Sequence, residues 1–158
     1  MTDQGTLIQD GDIATIEFSR RLAASPARVW TALTDPGELA SWLREDGTFE
    51  GGLGGALSHD FGEGGVVTGE VMAWDPPSLL SYTWVFPDGT ESLVTFELSP
   101  DGDGTKLQLT HERVPTETAM GYTPGWHAFL DRFDAHTSGQ AIPTWDERIE
   151  VVGPLYQG

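Results

Sequence analysis

The chain has 158 residues, long enough for one domain with a real hydrophobic core. Its 25 acidic and 8 basic residues give a net charge of -17, spread along the sequence. That balance argues against a nucleic-acid backbone as partner, which needs clustered Lys and Arg, and against anionic membrane surfaces. Lys106 is the only lysine. With no cysteine, disulfide and thiolate chemistry are excluded. No apolar run reaches the roughly 20 residues of a membrane span, and the N-terminus has no basic-then-apolar signal pattern. A cytoplasmic location and no membrane insertion are therefore expected.

In chain order, residues 1–11 are polar and expected to be flexible. Ile13 to Leu22 reads as the first strand, with Ile16, Phe18 and Arg20 on one face. Ser25-Pro26 then offers an N-cap followed by proline at the first helical position. Val29, Trp30 and Leu33 make a narrow apolar stripe. Asp35-Pro36-Gly37-Glu38 repeats the device, and Leu39, Trp42 and Leu43 form a second stripe. Pro36 disfavours helical geometry just before it, so two short helices are encoded rather than one.

The middle of the chain is β-like. Strands are expected at Ala56 to Phe61, Val66 to Trp74, Leu79 to Phe86, Glu91 to Leu98 and Thr105 to Arg113. Short turns rich in Gly, Pro and Asp separate them, which implies an antiparallel meander. A long helix is expected from about Pro124 to Thr137. Its apolar stripe is Trp126, Phe129, Leu130 and Phe133, which leaves His127, Asp131, Arg132 and Asp134 toward solvent. Residues 140–158 form a tail, with a short helix suggested by the capping-box pattern Thr144-Trp145-Asp146-Glu147.

The chemistry written in the chain is sparse. His111 is the one titratable side chain on an inward strand face. It could bind a ligand oxygen or act as an acid or base, or it could be a hydrogen-bonded core histidine. His127 and Asp131 stand one helical turn apart, but on the solvent side of the helix. His59-Asp60, His111-Glu112 and His136 are too scattered for a metal site. Gly51 to Gly55 lacks the spacing and the βαβ setting of a dinucleotide loop. There is no Walker loop and no Gly-x-Ser-x-Gly nucleophile elbow. No metal or cofactor is expected. Arg20, Arg21 and Arg28 are expected to be solvated or paired with carboxylates.

The ordered segments "RRLAASPARVWTALTDPGELASWL", "LGG" (Leu53 to Gly55), "GEVMAWDPPSLLSYTW", "TFELSPDGDGTKLQLTHE" and "GWHAFLDRF" resemble the START-like (SRPBCC) superfamily. Within it, the chain looks like the bacterial branch homologous to the activator of the heat-shock chaperone ATPase, which is related to polyketide cyclases. The resemblance implies an α+β helix-grip fold. In that fold a curved antiparallel sheet of about six or seven strands wraps a long C-terminal helix, and two short helices follow the first strand. It implies an elongated cavity between sheet and helix, with Phe61, Tyr82, Trp84, Phe96, Trp126 and Leu130 toward it and Met120 near a mouth. Trp30 and Trp42 are then plugs that close the end of the grip.

Three functions are compatible with this resemblance. The first is binding of a small hydrophobic or aromatic molecule. The second is a cyclase- or aromatase-like reaction using His111 or Tyr82 as acid or base. The third is a protein-interaction module, which is weakened because no chaperone-binding extension accompanies the family domain in so short a chain. The first is favoured, and oligomeric state is not legible.

Overall fold

The computed structural model describes residues 4–43 and 46–156. An antiparallel hairpin opens the chain: β1 (Thr6–Asp10) pairs with β2 (Ile13–Leu22), with Asp10 opposite Ile13. Gly11 occupies the turn at φ +66°, the left-handed geometry that two-residue hairpin loops require. Residues 6–10, expected to be flexible, are thus an edge strand. The rest of that stretch includes residues 1–3, which lie outside those described. Leu7 packs against the core, and the Gly5 amide donates to the Tyr156 hydroxyl at 2.8 Å, so both ends of the chain hold this strand.

Two short helices follow. In α1 (Pro26–Thr34) the Ser25 hydroxyl accepts from the Arg28 amide; in α2 (Pro36–Trp42) the Asp35 carboxylate accepts from the Glu38 amide at 3.1 Å. The remaining strands are β3 (Asp46–Phe49), β4 (Ala56–Asp60), β5 (Val66–Asp75), β6 (Leu79–Val85), β7 (Glu91–Asp101) and β8 (Gly104–Pro115). They form one eight-stranded antiparallel sheet in the order β1-β2-β8-β7-β6-β5-β4-β3. The helix pair therefore carries the chain from β2, near one edge, to β3 at the other. β3 was not expected, since Asp-Gly-Thr-Phe offers little strand propensity. Its place comes from pairing with β4, with Thr48 opposite Ser58.

The long helix α3 runs Thr116–Thr137, eight residues earlier than expected, with Pro124 in its interior. Gly121, Pro124 and Gly125 all lower intrinsic helix propensity. Tertiary packing outweighs them. Ala119 and Thr123 are buried, Tyr122 meets Phe86 edge-on at 5.1 Å, and the Thr123 hydroxyl donates to the Ala119 carbonyl. A final helix, α4 (Trp145–Val152), starts at the expected capping box, and a turn of 3-10 helix follows at Gly153–Tyr156. Residues 157 and 158 of the expected tail lie outside those described.

The core lies between the inner sheet face and α3. Trp126, Leu130 and Phe133 are buried together with Ile16, Phe18, Leu80, Phe96, Leu107 and Leu109. Trp42 is fully buried. Its indole stands edge-on to Phe133 at 4.7 Å and donates to the Ala32 carbonyl at 2.9 Å. Trp30 meets Trp74 edge-on at 5.0 Å. Both tryptophans thus pack beneath the helix pair. Arg20, Arg21 and Arg28 each sit on a carboxylate: Asp131, Asp101 and Glu38 respectively.

Candidate functional site

One face of α3 is not covered by the sheet. Gly121, Tyr122, Gly125, Trp126, Phe129 and Arg132 recur at helical spacing along it and form one wall of a cleft of about 1000 Å³. The opposite wall comes from the end of α2 (Ala40, Ser41, Leu43) and from the β4–β5 turn (Asp60, Phe61, Gly62, Gly64). Trp84 of β6, Ile142 and Trp145 complete the lining. The turn forms locally because the Gly62 amide donates to the Asp60 carboxylate at 2.9 Å and Gly62 and Gly65 adopt positive φ.

The lining is largely aromatic. Trp84 lies 5.5 Å from Trp126, 6.0 Å from Phe61 and 6.2 Å from Tyr122; Phe129 lies 6.1 Å from Phe61 and 6.2 Å from Trp145. Glycine keeps the helical wall low. A Cβ built at Gly121 or Gly125 meets nothing within 4 Å, so each leaves open space where any other residue would intrude. The polar groups are few. The Trp84 indole donates to the Tyr122 hydroxyl at 3.3 Å. Arg132 donates to the carbonyls of Pro143 (2.8 Å), Trp42 (2.6 Å) and Ser41 (3.4 Å). Burial raises the Tyr122 pKa and lowers that of Arg132.

Of the candidate residues drawn from the sequence, Phe61, Trp84 and Trp126 border this cleft. Tyr82, Phe96 and Leu130 lie behind the wall, in the core. Tyr82 stacks on Trp84 at 6.5 Å and Phe96 meets Trp126 edge-on at 6.2 Å, so they support wall residues without touching the cleft. Burial drives the Tyr82 hydroxyl pKa upward. Met120 is 60% exposed and off the cleft; because α3 already includes it, it sits about a third of a turn from the glycine face rather than in a loop at the mouth.

His111 is wholly buried and fully engaged. Its Nδ1 accepts from the Trp126 indole at 3.0 Å, which fixes the proton on Nε2. Nε2 donates to the Ser92 hydroxyl at 2.8 Å, and Ser92 donates onward to the Trp84 carbonyl. Burial pulls its pKa down to about 3. The ring is a neutral strut behind the two cleft tryptophans.

His127 does not face solvent, as the helical stripe had placed it. β1, the C-terminal turn and α4 cover that side of α3, and the ring is buried, edge-on to Phe18 and 2.7 Å from the Tyr156 hydroxyl. Asp131 lies 3.7 Å from it and accepts from Arg20 and Arg148. This cluster is a latch joining both chain ends to α3, on the far side from the cleft. Among the described residues no group of three or more His, Asp or Glu could hold a metal.

Tyr122, Phe129, Arg132 and Trp145 also line the cleft and were not among the candidates drawn from the sequence, where Phe129 stood only in the apolar stripe. The signal was present in the 121/122/125/126/129/132 spacing. It emerges only once the helix is extended to Thr116.

The fold and the cleft together define the helix-grip architecture of START-like proteins. The chain belongs to the "Activator of Hsp90 ATPase homolog 1-like protein" family, whose model matches residues 23–138. A curated relative, the uncharacterized protein Rv1546 of Mycobacterium tuberculosis, is 30% identical over 113 residues, covering 63% of this chain and 76% of the relative. The crystal structure of CalU16 from Micromonospora echinospora matches with a TM-score of 0.74 and 26% identity over 100% of both chains. The solution structure of the Aha1 dimer from Colwellia psychrerythraea matches with a TM-score of 0.72 over 80% of this chain and 98% of that one; at 22% identity the likeness is one of fold. No helix among the described residues is long and apolar enough to cross a membrane.

Proposed function

We propose that the protein is a cytoplasmic binder of a small hydrophobic or aromatic molecule, held in the cleft beside α3. The observation that carries the proposal is the cleft itself: about 1000 Å³ walled by six aromatic rings and floored by two glycines with open space above them. That volume sits at the upper end of small-molecule sites, and apolar walls with few polar groups are their usual composition. A cyclase-type reaction using His111 or Tyr82 would need that side chain on the wall, and both stand behind it.

The decisive variant is Gly125→Leu. Its side chain enters space that is now open, and in a helix interior leucine is favoured over glycine by several tenths of a kcal/mol up to about 1 kcal/mol. The expected outcome is a melting temperature equal to or above wild type together with loss of binding. Binding is read by tryptophan fluorescence, since Trp84, Trp126 and Trp145 border the cleft, and by ligand-induced thermal shift. A folded Gly125→Leu protein that binds lipophilic ligands as wild type does would refute the reading.

A further inference from the structure

The cleft holds a cation in an otherwise strongly acidic protein. Arg20, Arg21, Arg28 and Arg148 each contact a carboxylate, Arg20 and Arg148 sharing Asp131. Arg132 does not: among the described residues its guanidinium meets only the carbonyls of Ser41, Trp42 and Pro143. Those three bonds fix the group in place without cancelling its charge. A guanidinium carries five N–H donors, so two remain beyond the three given to carbonyls. A half-buried cation on an apolar wall, anchored and without a carboxylate among the described residues, is suited to an anionic acceptor from outside the chain.

A second donor lies at the other end of the same wall. The Tyr122 hydroxyl accepts from the Trp84 indole, which occupies its oxygen and leaves its proton to be donated. Tyr122 and Arg132 are ten residues apart on α3, about 15 Å along the axis at 1.5 Å per residue. Between them the wall is Gly125, Trp126 and Phe129, with no polar side chain. Asp60, the carboxylate on the opposite rim, is exposed and already caps its own turn.

Building on the binding role proposed above, we infer that the cleft selects an elongated apolar carboxylic acid. Arg132 takes the carboxylate, the glycine-floored aromatic stretch takes the body, and Tyr122 donates to an oxygen at the far end. Arg132 and Tyr122 are then the residues that determine specificity and orientation.

The test uses the full chain at neutral pH and about 0.15 M salt, where long-range repulsion from the acidic surface is screened beyond about 8 Å. The probes share one skeleton: phenyloctanoic acid, its methyl ester, phenyloctylamine, and the acid bearing a para-acetyl group. The acid is expected to bind about tenfold or more tighter than the ester and the amine, the range of a charge-assisted hydrogen bond. The acetyl group is expected to add a further gain of about threefold to tenfold, the range of a neutral hydrogen bond.

Arg132→Gln should bring the acid down to the affinity of the ester while the ester changes little, and Tyr122→Phe should remove only the acetyl gain. If Arg132→Gln fails to fold, Arg132→Lys keeps the charge without the fork and should narrow the acid-over-ester ratio. The acid-to-ester ratio in wild type needs no variant at all. An ester or amine that binds as tightly as the acid overturns this inference and leaves the apolar binding role standing. If no probe binds saturably, both fall.

Discussion

Acid should destabilise this protein through His111 in a way that can be isolated from its many carboxylates. The folded ring is neutral, wholly buried and bonded at both nitrogens, with a pKa near 3 against 6.5 for a free histidine. Between those values the unfolded chain binds a proton that the folded chain refuses, so stability falls as pH falls. The contribution is fully present above pH 6.5 and declines by about 1.4 kcal/mol per pH unit well below it. At about pH 5 the loss is about 2 kcal/mol, and across the whole window it approaches about 4 to 5 kcal/mol. His111→Gln removes the titration while keeping an acceptor for Trp126 and a donor for Ser92. Urea unfolding of both proteins from neutral pH to about pH 5 gives the difference in stability, in which the carboxylates cancel. Wild type should start more stable and lose about 2 kcal/mol relative to the variant over that range. A difference that stays flat would show that the folded ring takes up a proton readily, and would reopen His111 as an acid or base.

Two local predictions follow from the elements that build the grip. Asp35→Ala deletes the cap of α2 and should cost about 1 kcal/mol, read as a lower urea midpoint with an unchanged slope. Tyr156→Phe removes the hydroxyl that receives the Gly5 amide and bonds His127. It should cost about 1 kcal/mol and speed amide hydrogen exchange in β1 ahead of β8; equal exchange in both strands would exclude the latch.

Local chemistry made much of this fold legible. Ser25, Asp35 and Thr144 announce three helix starts because each cap is satisfied by backbone within three residues. β5 to β8 alternate, and the turns between them are spelled in Gly, Pro and Asp. What escaped was set by distant partners. β1 is held by its pairing with β2 and by Tyr156, 151 positions from Gly5. β3 is held by β4. His127 is buried by segments from both chain ends, which no helical stripe can foresee. Alternation also reports a face, not a depth: Tyr82 and Trp84 share one face of β6, yet Trp84 borders the cleft and Tyr82 lies behind it.

The helix start and the site escaped for one common reason. Gly121 and Pro124 lower helix propensity, so residues 116–123 did not read as helix, and Gly125 lowers it further inside the expected helix. A glycine inside a helix is usually tolerated where a neighbour packs too closely for a side chain. Here the opposite holds, since an added Cβ at either position meets nothing within 4 Å. Packing therefore does not explain them, and helix stability alone would favour alanine by about 1 kcal/mol at each. The explanation left by the structure is the space itself. The same two glycines leave the cleft wall low beside Tyr122 and Trp126. Gly121→Ala puts this to a measurement separate from Gly125→Leu: it should raise the melting temperature while weakening ligand binding. A gain in stability with unchanged affinity would mean that the space at Gly121 serves no ligand.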